Sequence, residues 1–155
     1  MNRIFGRAID SLHPSLTQLV SMAPVNVSSL PKVMPTAGVY LFSEGRRHMY
    51  VGRSKDLRGR IQRHSRRGAK ENAATFAFLL ARRSTRRLRA SYRAEGSRSH
   101  LLQNPVFRAA FAKAKMRIRT MDVRFVGEGR PVQQALLEIY AAVALKTPHN
   151  DFETH

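Results

Sequence analysis

The sequence predicts one domain of the α/β class, more strictly α+β, in which a three-stranded antiparallel sheet is flanked by helices. Its 155 residues suffice for one hydrophobic core, and 43% of them are hydrophobic, which is normal for a folded chain. A strand–turn–strand pattern begins at Ala37, and residues 117–127 alternate like a third strand. Apolar residues at helical spacing fill much of the remainder. Together these patterns favour helices packed on one small sheet.

The first 36 residues differ from the rest in composition. Prolines at positions 14, 24, 31 and 35 and the Ser-Ser pair at 28 and 29 interrupt any long regular element there. We therefore predict a short helix followed by an extended arm over residues 1–36, and we place the main domain in residues 37–155.

A β-hairpin is predicted directly after this arm. In residues 38–42, GVYLF, Val39 and Leu41 fall on one face of a strand and the two aromatic side chains fall on the other. Residues 43–47, SEGRR, supply a turn, and residues 48–52 return as the second strand.

Helices and one more strand follow the hairpin. Ser54 or Asp56 is placed to cap a helix over residues 57–66. The later elements, in order, are a helix over residues 70–83, an Arg-, Ser- and Gly-rich loop over residues 84–100, a helix capped by Asn104 and begun by Pro105, and the third strand within residues 117–127.

The last predicted helix, from Pro131 to Leu145, is apolar on nearly every side, which predicts that it packs on most of its surface. Glu138 lies in its middle, and no basic residue occurs between Val132 and Leu145. No ion pair within the helix can therefore stabilise a buried carboxylate there. Two interpretations stay open: a partly exposed glutamate at a helix edge, or a carboxylate that faces a metal or a basic site elsewhere in the fold.

The charge of the chain indicates the class of its partner. With 28 Lys and Arg against 10 Asp and Glu, the net charge is +18. An excess of this size predicts a polyanion, with nucleic acid ahead of an anionic membrane, because phosphates release counterions when basic side chains neutralise them. Ribosomal or architectural binding would give the same excess, so the charge names no activity.

Several classes of protein are disfavoured. The chain has no cysteine, so disulfides, thiolate metal sites and cysteine nucleophiles are excluded. No apolar run approaches the roughly 20 residues that cross a bilayer, and the N-terminus lacks the compact apolar region of a secretory signal. We expect no membrane partner and a cytoplasmic protein, nucleoid-associated if bacterial, with an organellar presequence as the alternative.

Two nearly mirrored triplets flank the predicted turn: Gly-Val-Tyr ends at Tyr40, and Tyr-Val-Gly begins at Tyr50. These tyrosines are either cross-strand filling, the commoner fate of strand tyrosines, or half of an active site. On the next predicted helix, Arg60 and His64 lie one turn apart, and each alone is compatible with a solvated surface residue.

Glu138 follows these residues, and Asn150 comes twelve positions after it. In order and spacing, this set resembles the motif blocks of the GIY-YIG nuclease superfamily. The triplets read GVY and YVG, which are conservative Ile-to-Val variants. The resemblance extends from Ala37 to Asn150. It identifies the chain as a small stand-alone member with a long insertion, residues 65–116, between the first helix and the third strand of the family core.

The resemblance implies a Mg²⁺-dependent endonuclease that hydrolyses DNA phosphodiester bonds and leaves a 3′-hydroxyl and a 5′-phosphate. Mn²⁺ is expected to substitute for Mg²⁺. A two-metal mechanism needs clustered carboxylates, and the ten acids of this chain include no paired motif, so one metal is expected. The implied catalytic residues are Tyr40, Tyr50, Arg60, His64 and the metal ligand Glu138; the implied substrate-binding residues are Arg53, Lys55, Arg58 and Asn150.

In this interpretation Tyr40 is the general base or the group that orients water. A phenol is a poor base unless nearby cations favour its phenolate, and Arg60, Arg53 and His64 are expected to supply that field. His64 is also a candidate acceptor for the phenol proton. Tyr50 is expected to bond the scissile phosphate, Arg60 to clamp its non-bridging oxygens, and Asn150 to orient the site or to serve as a plain turn residue.

The rival hypothesis is a non-catalytic DNA- or RNA-binding module on the same fold. Retention of Tyr40, Arg60 and Glu138 together disfavours it, since binding a polyanion needs no isolated acid. The expected partner is double- or single-stranded DNA, and the protein is expected to be a monomer or a homodimer.

Overall fold

The structure is a computed structural model that describes residues 1–87 and 97–152. Its fold is α+β, as predicted: an antiparallel sheet flanked by helices. None of the helices in these ranges is long and apolar enough to cross a membrane. The helices are α1 (Arg3–Asp10), α2 (Leu12–Ser21), α3 (Leu57–Ser65), α4 (Thr75–Ser84), α5 (Arg98–Gln103), α6 (Pro105–Arg119) and α7 (Pro131–Leu145), with a 3-10 turn at Val27–Ser29.

Within the described residues the sheet has four strands, so the expectation of three is wrong. The extra strand is short and comes from the N-terminal arm, where Val25 pairs with Val123. It forms because the arm runs antiparallel to an edge strand whose backbone groups would otherwise lack partners. The strands are β1 (Val25–Asn26), β2 (Gly38–Glu44), β3 (Arg47–Ser54) and β4 (Asp122–Gly127), in the spatial order β1-β4-β2-β3.

The predicted hairpin is confirmed as β2 and β3, with Gly45 in the left-handed region of the turn (φ +59°). Its two faces divide the core as the alternation predicts. Val39 and Leu41 join a cluster with residues of α2 and α7, whereas Tyr40 and Phe42 join a cluster with residues of α3, α4 and α6. The sheet therefore separates two groups of helices.

The N-terminal segment forms two helices rather than one short helix. Pro14 lies in the first turn of α2, where backbone N–H groups have no partner within the helix, so it does not interrupt the helix. Leu16 and Leu19 of α2 are buried against the sheet. Packing of apolar side chains, more than local sequence preference, holds this segment.

Two predicted segments differ from the structure in their bounds. The helix expected over 70–83 begins only at Thr75, because residues 71–73 form a turn before it. The predicted loop ends earlier than expected, since Ser97 caps the short helix α5 and Leu101 anchors it; residues 88–96 of that loop lie outside the described residues.

Helix α7 has the predicted bounds, yet the expectation that it packs on most sides is wrong. Val132, Ile139 and Val143 are 72%, 48% and 65% exposed on one outer stripe. The helix buries only the side that faces the sheet and α2, where Leu137 and Ala141 lie.

Candidate active site

Four side chains from four elements meet under the hairpin: Tyr40 of β2, Tyr50 of β3, His64 of α3 and Phe76 of α4. The Tyr40 hydroxyl lies 2.6 Å from Nε2 of His64. The ring of Phe76 stacks on that of Tyr50, with centroids 4.6 Å apart and planes 9° from parallel. Tyr40 and His64 are almost completely buried. We call these four residues the aromatic cluster.

The second triplet ends in glycine because the phenol of Tyr40 crosses that strand. A Cβ at Gly52 would lie 2.2 Å from the Tyr40 hydroxyl oxygen and 2.3 Å from Cζ. Tyr40 and Gly52 are also partners in the register of β2 and β3. The absent side chain therefore makes the space in which the Tyr40 hydroxyl reaches His64.

Arg60 projects from α3 and is held by the loop that enters α4. Its Nη1 donates to the carbonyl of Ala73 (3.2 Å) and its Nη2 to Oγ1 of Thr75 (3.0 Å). Thr75 also lies beside the Tyr50 hydroxyl, and the Arg60 guanidinium acts electrostatically on both tyrosine hydroxyls. The guanidinium is thus fixed beside both tyrosines, with N–H groups to spare for a ligand.

Glu138 of α7 is partly exposed and faces a basic group, so both features that the sequence offered as alternatives occur together. Nε of Arg53 donates to Oε2 of Glu138 at 3.0 Å, and the glutamate side chain is 25% exposed. Burial raises the pKa of Glu138, and the nearby guanidinium groups of Arg53 and Arg60 act in the opposite direction. The carboxylate therefore lies at the rim of the aromatic cluster, beside two cations.

Asn150 has a defined structural role at the edge of the sheet. Its Oδ1 accepts from the backbone N–H of Val51, and its Nδ2 donates to the carbonyl of Val51, both at 2.8 Å. Oγ1 of Thr147 donates to the same Oδ1 at 2.7 Å. Asn150 therefore ties the segment after α7 to β3, next to Tyr50, instead of joining the aromatic cluster.

Arg58 and Lys55, which were also predicted to bind substrate, lie outside the aromatic cluster. Arg58 donates to the carbonyls of Pro31 and Lys32, so it ties the N-terminal arm to α3. Lys55 is exposed between β3 and α3. Of the nine predicted site residues, the structure brings Tyr40, Tyr50 and His64 into direct contact and sets Arg60, Glu138 and Arg53 beside them. Lys55, Arg58 and Asn150 lie around them.

The expectation that cations favour a Tyr40 phenolate is not met in the free protein. Burial raises the pKa of Tyr40 far above its usual value, Tyr50 acts in the same direction, and Arg60 offsets only part of the shift. Burial also raises the pKa of Tyr50. Both side chains are neutral phenols at physiological pH. Burial destabilises the phenolate by more than the nearby guanidinium group stabilises it.

His64 is neutral as well, so it supplies no cationic field. Burial lowers its pKa to about 3, and Arg60 and Arg63 act in the same direction. The backbone N–H of Phe76 donates to Nδ1 of His64 (3.4 Å), which assigns the ring proton to Nε2. Nε2–H then donates to the Tyr40 oxygen. In this state His64 orients the phenol and does not accept its proton, contrary to one sequence-based expectation.

The neutral state of His64 predicts acid sensitivity. Below pH 6.5 the unfolded chain binds a proton at this imidazole, whereas the folded chain does so only near pH 3. The free energy of unfolding therefore falls as the pH drops between these values, by up to about 1.4 kcal/mol per pH unit for each such histidine. His149, whose pKa is lowered to about 4, adds to the effect. Urea unfolding at pH 7.5, 6.5, 5.5 and 4.5 measures it.

We expect His64→Gln to unfold with a shallower pH dependence than the wild type over this range. His100→Gln, which changes an exposed histidine on α5, serves as the control. An unchanged slope in His64→Gln would mean that the folded protein protonates His64 near its ordinary pKa.

The residues at the rim fit a single divalent cation that is shared with a phosphate. Glu138 Oε2 is engaged by Arg53, and no hydrogen bond to Oε1 occurs within residues 1–87 and 97–152. The same ranges contain no group of three His, Cys, Asp or Glu side chains that could enclose a metal. Mg²⁺ commonly binds proteins through one or two carboxylates, several waters and a substrate phosphate, so one free carboxylate oxygen suits it.

Sequence reasoning does not single out Thr75 and the Phe76 backbone N–H. Thr75 accepts a hydrogen bond from Arg60 and lies beside Tyr50, and the Phe76 N–H sets the tautomer of His64. Both lie at the start of α4, inside the segment predicted as an insertion, residues 65–116. No periodicity connects the first turn of a helix to a distant tyrosine, so only tertiary structure reveals this contribution.

No family model, curated protein or solved structure matches the chain. The GIY-YIG resemblance of the motif blocks therefore stays a prediction, and the function of the site has to be inferred from its own residues and geometry.

Proposed function

We propose that this protein is a divalent-metal-dependent endonuclease of the GIY-YIG type that hydrolyses phosphodiester bonds in DNA. One observation carries the proposal. A half-buried glutamate, Glu138, faces two guanidinium groups at the rim of a buried Tyr40–His64 pair, in a chain of net charge +18. An acid in a basic cleft weakens the attraction for a polyanion, so its presence there favours chemistry over binding alone.

The proposed substrate follows from the cations around the cluster. Arg60 is fixed by Ala73 and Thr75, and its planar fork suits the non-bridging oxygens of a phosphate. Because the guanidinium is already ordered, little conformational entropy is lost when it binds. A phosphodiester placed against Arg60 and Tyr50 also lies beside Glu138, whose charge is felt by both tyrosines.

The protonation states assign distinct roles to the two members of the buried pair. His64 donates to the Tyr40 oxygen, which leaves the phenol proton free to point away from the imidazole and toward a water or a phosphate oxygen. Tyr40 is therefore proposed to orient the attacking water rather than to act as a standing phenolate. Tyr50, which lies beside Thr75, is proposed to donate to the scissile phosphate.

Glu138 is the residue that would hold the metal, through the oxygen that Arg53 leaves free. Mg²⁺ there would supply positive charge to the phosphate and lower the pKa of a bound water. Arg53 keeps the carboxylate oriented and offsets part of its desolvation.

Incubation with supercoiled plasmid tests the proposal. We expect conversion to nicked or linear DNA with Mg²⁺ or Mn²⁺ and none with EDTA, with ends that carry a 3′-hydroxyl and a 5′-phosphate. Single-stranded DNA and RNA in parallel reactions define the substrate class. Tight, salt-sensitive binding without cleavage in any metal would overturn the nuclease and favour the non-catalytic binding module.

A further inference from the structure

A second basic cluster lies at the hairpin end of the sheet, on the side of α4 and α6. It consists of Arg47 at the start of β3, Arg83 of α4, Arg117 of α6 and His149, which follows α7. All three guanidinium groups act electrostatically on the His149 imidazole. Glu44, also close to it, is the acid among these neighbours. None of these residues belongs to the proposed catalytic site.

His149 is held firmly but leaves bonding capacity unused. Its residue exposure is 8%, its backbone N–H donates to the carbonyl of Met49 (3.3 Å), and its ring contacts that of Phe76. Its Nδ1 is buried with no partner in the part of the chain that the structure describes. If Nδ1 is the unprotonated nitrogen of the neutral ring, the proton is on Nε2, and Nε2–H is available to donate to a ligand.

Two of the arginine side chains are already held by hydrogen bonds within the protein. Arg83 Nη2 donates to the carbonyl of Pro148, directly before His149. Arg117 makes a two-point ion pair with Glu44, at 2.7 and 3.0 Å. Arg47 is exposed, and its side chain makes no hydrogen bond within residues 1–87 and 97–152. Among the charged groups that act on His149 in the described residues, three are guanidinium groups and one is a carboxylate, and all three arginines are exposed.

This cluster adjoins the proposed catalytic site through one shared ring. Phe76 stacks on Tyr50 with centroids 4.6 Å apart, and its centroid is also 5.5 Å from that of His149. A nucleic acid strand that runs from Tyr50 toward the hairpin end of the sheet reaches this cluster within a few nucleotides, since one strand rises about 3.4 Å per nucleotide.

We propose that Arg47, Arg83, Arg117 and His149 form a second phosphate site, which binds the backbone of the cleaved strand beside the scissile position. The inference depends on nucleic acid being the partner, as proposed above. Arginine forks match phosphate oxygens in two-point contacts, and a fixed site sets the register of the strand without reading its sequence.

Binding to a labelled oligonucleotide in EDTA, without cleavage, tests the site. We expect Arg83→Gln and Arg47→Gln each to weaken affinity about five- to tenfold and to reduce the slope of log affinity against log salt by about 0.7 to 0.9. Arg3→Gln is the matched control, because α1 packs on α2, on the opposite side of the sheet. Thermal unfolding of each variant verifies that it is folded.

Oligonucleotides with one neutral methylphosphonate locate the contact. For the wild-type protein, one methylphosphonate at a single position near the cleavage point should weaken binding by the same factor as Arg83→Gln. For the Arg83→Gln protein, a methylphosphonate at that position should not weaken binding further. Additive losses at every position, or an equal loss in Arg3→Gln, would overturn the phosphate site and leave only a general charge effect. This experiment measures binding and not cleavage. The phosphate site can therefore be confirmed or overturned even if the protein proves to have no nuclease activity.

Discussion

Glu138→Gln is expected to reduce plasmid cleavage about a thousandfold while leaving the fold intact. Glutamine keeps the size of the side chain and an oxygen that accepts from Arg53 Nε, which lies 3.0 Å from Oε2 in the wild type. It removes the negative charge that a divalent cation needs. Plasmid nicking at saturating Mg²⁺ measures the loss.

The affinity of the same variant for DNA should not fall. Without the carboxylate, Arg53 and Arg60 face the phosphate unopposed, so affinity for DNA in EDTA should stay equal or rise. Glu128→Gln is the matched control, since Glu128 is also a glutamate paired with an arginine, Arg130, at 2.9 Å. Full cleavage by Glu138→Gln, or an equal loss in the control, would remove Glu138 from the catalytic site.

Tyr40→Phe is expected to reduce cleavage about a hundredfold or more, because the variant lacks the hydroxyl that is proposed to orient water. The variant also leaves Nε2–H of His64 without its 2.6 Å partner in a buried position, which costs roughly 1–3 kcal/mol of stability. Plasmid cleavage at a temperature well below the unfolding midpoint separates the two effects.

Three further variants test this prediction. Tyr140→Phe removes the hydroxyl of another tyrosine–histidine pair, which is exposed and joins Tyr140 to His13 at 3.1 Å, and it should cleave normally. Gly52→Ala should lower cleavage as Tyr40→Phe does, because its Cβ would occupy the space of the Tyr40 hydroxyl. Gly129→Ala is the control for this change, since a Cβ at Gly129 would meet no atom within 4 Å. Normal cleavage by Tyr40→Phe would exclude the phenol from the mechanism.

Local patterns account for most of the fold. The alternation of residues 38–42 determines which side chains of the hairpin face each group of helices, since a strand has a period of two. Asn104 and Pro105 likewise mark the start of α6, because a cap and a fixed φ act within one turn. The bounds of α7 also follow from its sequence.

Other features depend on distant partners. Strand β1 exists because the arm meets Val123 of β4, nearly a hundred positions away in the chain, and two residues alone carry no strand pattern. The exposed stripe of α7 has the same cause, since an apolar sequence does not reveal which side its neighbours cover.

The sequence alone is enough to select the residues of the candidate site and to show the excess of positive charge. Its alternation over residues 38–42 also predicts that Tyr40 faces the interior of the fold. The states of these residues come from tertiary packing: Glu138 meets Arg53, His64 is a neutral donor to Tyr40, and Thr75 fixes Arg60. The reason is physical. Residue types and spacing are local properties, whereas protonation and orientation follow from burial and from partners that only the folded chain brings together.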